Sequence, residues 1–176
     1  MISSVPIGHV SRPRKSVTDP AAPATPRYDP AQRSFGARLA AIQELSETGG
    51  AAATDALLAA MGDEDPLVRE EVVQALAAIP EPTVLLALQS ALRDPSADVR
   101  EAAINAFADI GGNGSASALS IALSDPARSL RSDTVDAPGE IGGYRARQTV
   151  RQALGDGDTA VSEAAAETLA EFEAER

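Results

Sequence analysis

The sequence predicts an all-α fold, an α-solenoid of about nine helices stacked as repeated pairs, behind an N-terminal tail that does not fold. Three observations predict it. Arg38, Arg69, Arg100 and Arg131 stand 31 residues apart with Ser162 in the fifth place, and Asp63, Asp94, Asp125 and Asp156 form a second ladder with the same step. Between these polar rungs the apolar residues recur at helical spacing, on the same 31-residue register. The composition suits close helix packing: 44% of the 176 residues are hydrophobic but only 3% are aromatic, the rest being mostly Ala, Leu, Val and Ile.

Residues 1–29 carry Pro6, Pro13, Pro20, Pro23 and Pro26 among Ser, Thr and Arg, with too few large apolar groups to offset the entropy of ordering; they are read as a disordered tail. From Pro30 the helical pattern begins and runs as one repeat region over 30–176. Counted from each Arg position, the preceding residue is Val68, Val99, Leu130 or Val161. The fourth following is Ile42, Val73, Ile104, Val135 or Ala166, and the seventh is Leu45, Leu76, Phe107, Pro138 or Leu169. With Ile79, Ile110, Ile141 and Phe172 at the tenth, this is the stripe of one helix, called B.

A glycine pair follows at Gly49-Gly50, Gly111-Gly112 and Gly142-Gly143, where a left-handed cap is expected, with Pro80-Glu81 in its place once. A shorter stripe then marks helix A: Leu57, Leu88, Leu119 and Val150, followed by Ala60, Ala91, Ala122 and Ala153, then by Met61, Leu92, Leu123 and Leu154. Asp65-Pro66 and Ser96 read as N-cap signals for the next B helices. The count is an opening B helix and four A–B pairs ending near Glu173. Each pair has an apolar face that only its neighbours can cover.

The 31-residue step, the Val-Arg pair opening helix B, the Ala-Leu-x-Asp end of helix A and the Ile-Gly-Gly turn together resemble the phycobilisome-lyase type of HEAT-like repeat, over roughly four-fifths of the chain. The resemblance implies a fold rather than an activity. It also implies that the Arg and Asp ladders brace one repeat to the next. A feature present in every unit cannot mark a single site, so Arg38, Arg69, Arg100, Arg131, Asp63, Asp94, Asp125 and Asp156 are read as scaffold.

By the same resemblance the exposed face of the B helices lines the concave side, through the first, second, fifth and ninth positions after each Arg. These are Glu70, Glu71, Gln74 and Ala78; Glu101, Ala102, Asn105 and Asp109; Ser132, Asp133, Asp136 and Glu140; Glu163, Ala164, Glu167 and Glu171. Ten of the sixteen are acidic and none is basic; a face lined by one sign of charge suits a cationic partner, and a merely solvated face is the alternative reading. The expected function is therefore a non-catalytic adaptor, scaffold or assembly chaperone that binds a basic protein segment.

Two rivals remain. Bilin lyases containing this repeat handle a tetrapyrrole, for which aromatic or cationic concave residues are expected and none is present; the other rival is a structural subunit of a larger complex. The chain also lacks the His-Glu pairs of metal-dependent HEAT-repeat hydroxylases.

Composition narrows the chemistry. With no Cys and one His, His9, thiolate or His metal centres and Ser–His or Cys–His nucleophile systems lack their parts, and no cofactor is expected. Asp133, Asp136 and Glu140 share one helix side but offer a line of carboxylates where a hard cation wants converging oxygens. Asp156-Gly157-Asp158 with Glu167 faintly matches a calcium loop, yet Ala160 and Val161 occupy positions that loop reserves for a ligand and a glycine; no metal site is predicted.

The net charge of −11 divides into +3 over residues 1–35 and −14 over 36–176, so the body repels nucleic acid. No stretch approaches a signal peptide or membrane span, which makes cytoplasm the default location, although the Ser-containing start, free of acids through residue 18, is compatible with non-Sec export.

Two irregular features stand outside the pattern. Pro138 falls inside the fourth B helix, which is expected to kink or stop early. Just beyond it, Tyr144, Arg145, Arg147 and Arg151 form the one basic cluster of the acidic body, either a second patch or repeat decay. The basic tail is a further candidate occupant of the acidic face.

Overall fold

Each 31-residue step folds as a helix pair. The computed structural model describes residues 28–31, 34–79, 81–141 and 143–174, and of residues 138–141 the backbone alone; the tail, Tyr28 and Asp29 apart, lies outside these residues. The B helices are α1 (Phe35–Thr48), α3 (Pro66–Ala77), α5 (Ala97–Ile110), α7 (Arg128–Ile141) and α9 (Thr159–Ala174). The A helices are α2 (Ala51–Ala60), α4 (Pro82–Ala91), α6 (Gly112–Leu119) and α8 (Gly143–Ala153). No strand occurs among the described residues.

Local chemistry sets the boundaries. The opening helix starts at Phe35 rather than Pro30, because the Asp29 carboxylate accepts the Ala31 amide at 2.9 Å and holds a turn there. Asp65 caps α3 through the Leu67 amide at 3.0 Å with Pro66 in the first turn, as expected. Ser96 occupies the cap position of α5, but its hydroxyl caps nothing; its amide instead donates to Asp94 Oδ1 at 2.8 Å. Helix α6, rich in Gly and Ser, ends early and gives way to a 3-10 turn at Ala122–Ser124.

After α1 and α5 the chain reverses through Gly49 (φ 64°, ψ −170°) and Gly111 (φ 67°, ψ −171°). The positive φ agrees with the expected cap, but ψ is extended rather than left-handed helical, a region open essentially to glycine alone. The Gly49 amide still donates to Leu45 O at 3.0 Å and that of Gly111 to Phe107 O at 3.1 Å, satisfying one carbonyl of each helix end.

The stripes read from the sequence form the core. Ile42, Leu45, Leu57, Val68, Val73, Leu76, Leu88, Val99, Leu119, Val135, Val150 and Val161 are fully buried. Ala166 and Leu154 depart from the expected stripes and are exposed. A further buried line, Val72, Ala103, Thr134 and Ala165, sits at the third place after each Arg and faces neighbouring helices.

The B helices pack on one another along the whole series, α1 on α3, α3 on α5, α5 on α7 and α7 on α9; in the A row only α6 and α8 pack extensively. The more tightly spaced row of a two-layer stack lies on the inside of its curve. Helix α7 does not stop at Pro138 but continues to Ile141. Packing against α5, α8 and α9 holds it in place despite the lost amide hydrogen.

Candidate functional site

The Arg and Asp ladders interlock along the edge where helix A turns into helix B. Arg69 donates from Nε and Nη2 to both carboxylate oxygens of Asp94 in the next repeat, at 2.8 and 2.7 Å, and from Nη1 to Asp63 O at 2.8 Å. Arg100 repeats the pattern with Asp125 and with Asp94 O at 2.9 Å, and Arg131 with Asp156 and with Asp125 O at 2.9 Å. Arg38 pairs with Asp63 at 2.9 Å, and the half-buried Tyr28 hydroxyl donates to the same carboxylate.

Each Asp also accepts the amide two residues on: Asp65, Ser96, Ala127 and Asp158, all at 2.8 Å. Burial works against the charge on Asp94 and Asp125, but hydrogen bonds from the Arg partner and the turn amide outweigh it and hold both carboxyls below their ordinary range. Asp156 is lowered chiefly by the hydrogen bond from Arg131; the three guanidiniums are raised by the same bonds. These residues pair across the turn from one repeat to the next, and their charges are met there by partners of opposite sign.

The acidic candidates lie on the B row. Between α3 and α5 a shallow depression of about 280 Å³ is lined by Leu67, Glu70, Gln74, Asp98, Glu101, Ala102 and Asn105. A second, of about 270 Å³ between α1 and α3, is lined by Ile42, Gln43, Ser46, Glu47, Glu71, Gln74 and Ala75. Gln74 belongs to both, so the two depressions share a wall across three B helices. Neither lining includes a basic residue.

Glu70, Gln74, Glu101 and Asn105 are thus brought together, and Glu71 lies just across the α3 ridge. Ala102 is buried in the floor. Asp109 is exposed near the end of α5; Asp133 is half-buried and Asp136 exposed on α7. Glu163, Glu167 and Glu171 are exposed along α9, and the Glu140 side chain lies outside the described residues.

Six lining residues escaped the sequence reading, Gln43, Ser46 and Ala75 together with Glu47, Leu67 and Asp98. Glu47 is on α1, whose exposed positions it did not consider. Asp98 and Leu67 fall two residues before Arg100 and Arg69, in the first turn of each B helix, where the repeat pattern signals only helix initiation. Their alignment at one place in the repeat is the signal that could have found them.

The basic cluster divides. The Arg147 guanidinium lies 5.3 Å from the Phe172 ring centroid and donates to Phe172 O at 3.4 Å, so it joins α8 to the end of α9. Arg145 lines a depression between α6 and α8 with Ser117, Ser120 and Gln148, and Tyr144 and Arg151 are exposed. They lie in the A row rather than beside the acidic depressions. Among the described residues no group of three or more His, Cys, Asp or Glu could hold a metal ion, and no helix is long and apolar enough to cross a membrane.

Comparison with known proteins agrees with this architecture. The complex of CpcE and CpcF of phycocyanin lyase from Nostoc sp. PCC7120 has a similar fold, with a TM-score of 0.58 and 24% identity over 90% of this chain and 70% of that one. A designed armadillo repeat protein solved with the peptide (KR)4 is similar at a TM-score of 0.53 and 22% identity, over 76% of this chain and 69% of that one. A computationally designed armadillo repeat protein for modular peptide recognition follows at 0.52 and 19%, over 81% and 79%. No curated protein matches the chain. The family model described as HEAT repeats matches residues 31–108 and 54–137, together more than half of the sequence, and with the stacked helix pairs it shows that the chain belongs to the HEAT-repeat family.

Proposed function

We propose that this protein is a non-catalytic scaffold that binds a basic protein segment along the B-helix row. The observation that carries the reading is the pair of adjoining depressions over α1, α3 and α5, walled by Glu47, Glu71, Glu70, Asp98, Glu101, Gln74 and Asn105 without one cation. Acids on both sides of a groove concentrate negative potential, and the amides of Gln74 and Asn105 offer donors and acceptors to a peptide backbone. Leu67 is 53% exposed beside the carboxylates, apolar surface on which the aliphatic stem of a Lys or Arg packs. A designed repeat protein of similar fold holding (KR)4 is a precedent for such a segment on stacked helices.

The test is binding of a synthetic Lys-Arg peptide, measured by fluorescence anisotropy. The variant Glu70→Lys with Glu71→Lys and Glu101→Lys is expected to bind about tenfold or more weakly with unchanged helical circular dichroism. Unaltered affinity sinks the reading.

A second reading, a subunit of a bilin-handling complex, is favoured by the fold likeness to the CpcE–CpcF complex. It requires a shift in bilin absorbance on mixing with this protein. An unshifted spectrum removes it.

A further inference from the structure

We infer that the C-terminal helices α8 and α9 form a separately unfolding unit, joined to the rest of the stack across a hydroxyl-lined seam through α6 and α7. The buried apolar residues fall into two clusters rather than one. The larger runs from Ile42 to Ala137, and the smaller holds Val150, Val161, Ala165 and Phe172 with neighbours. The division passes through single helices: on α6, Ala116 belongs to the smaller cluster and Leu119 to the larger; on α7, Val135 to the smaller and Leu130 to the larger.

At this division three apolar rungs of the repeat become hydroxyls. Ser115 stands where other repeats have Ala53, Val84 and Ala146; Thr134 where they have Val72, Ala103 and Ala165; Thr149 where they have Ala56, Ala87 and Ala118. All three are buried, on helices that pack on one another. Ser115 Oγ has no hydrogen-bond partner, and Thr134 Oγ1 donates within its own helix to Leu130 O at 2.6 Å. Buried hydroxyls at Thr54 and Thr168 also bond within their own helices, but elsewhere they do not cluster.

Besides the apolar contacts that Ala116 and Val135 make with the smaller cluster, α8 and α9 are tied to α6 and α7 by directional bonds. Thr149 Oγ1 donates to Ala116 O at 2.7 Å, and Arg131 reaches Asp156. Such bonds preserve register between two bodies while contributing less than continuous apolar packing, which is where a cooperative unit ends.

Native-state hydrogen exchange of the full chain, read by mass spectrometry, tests this. Amides of α8 and α9 are expected to exchange through one common opening, about tenfold or more faster than those of α3 and α5. The double variant Ser115→Ala with Thr134→Val restores apolar rungs, and is expected to slow exchange in α8 and α9 by about threefold or more while leaving α3 unchanged. Simple end fraying predicts equal exchange at α1–α2 and α8–α9 and no response to the variant. That outcome, or uniform protection along the whole stack, overturns the inference.

Discussion

At the residue scale the most connected group is Asp94. Its carboxylate takes Nε and Nη2 of Arg69 and the Ser96 amide, while its carbonyl takes Arg100, so one residue closes a turn and ties two successive repeats. Removing one partner of a buried pair leaves the other charge unsatisfied. Arg100→Ala is therefore expected to lower stability by about 3 kcal/mol in urea unfolding.

The pH response follows from the same bonds. The folded-state carboxyls of Asp94 and Asp125 lie below their ordinary values, so their stabilisation is present above that range and is lost as pH falls through the folded values. The urea midpoint should drop steeply below about pH 4, and Asp125→Asn should flatten the drop; an unchanged acid slope in that variant removes the assignment. Repetition and the family resemblance together read these residues as an inter-repeat brace. Which Asp each Arg takes, the one 25 residues on rather than the one six before, was not legible, because sequence spacing does not say which turn an Arg faces.

Elements were legible wherever one local signal had no competitor. The glycine turns are such a case, since two consecutive positive-φ residues leave little alternative to glycine. At Gly111 a Cβ would meet nothing within 4 Å, so the cost of Gly111→Ala is the backbone alone, about 1–3 kcal/mol, read as a lower melting temperature.

Pro138 is the opposite case. The local rule predicts a kink or an early stop, and the early stop does not occur, because tertiary packing carries α7 through to Ile141. Restoring the amide with Pro138→Ala is expected to raise stability by about 2 kcal/mol, the gain of a helix-interior hydrogen bond less the unfolded-state entropy that proline had removed. No change in melting temperature would show that the helix bears no cost there. The buried third-position line through Val72, Ala103 and Thr134 was missed because small and hydroxylated residues do not register as a stripe until neighbouring helices close over them.

At the scale of the whole molecule, charge acts with two signs. Residues 36–176 carry a net −14, so self-repulsion opposes folding and salt screens it, whereas the braces are largely buried and less sensitive. Raising salt from about 0.02 to about 0.3 M is expected to raise the melting temperature while weakening peptide binding. Parallel loss of both would show that exposed ion pairs, rather than repulsion, dominate stability. The acidic face also spans the seam, with Glu70 and Glu101 on one side and Glu163 and Glu167 on the other.

The sequence by itself determined the repeat length, the helix pairing, the register of the Arg and Asp ladders and the sign of charge on the B row. All of these follow from periodicity and composition, which act locally and recur in register. Tertiary structure alone decided which acids share a depression, that Asp98, Leu67 and Glu47 join them, that Arg147 turns to α9, and that the core divides at α6 and α7. Each depends on how one helix sits against another, and that is set by side-chain volume and hydrogen bonding between residues far apart in the chain.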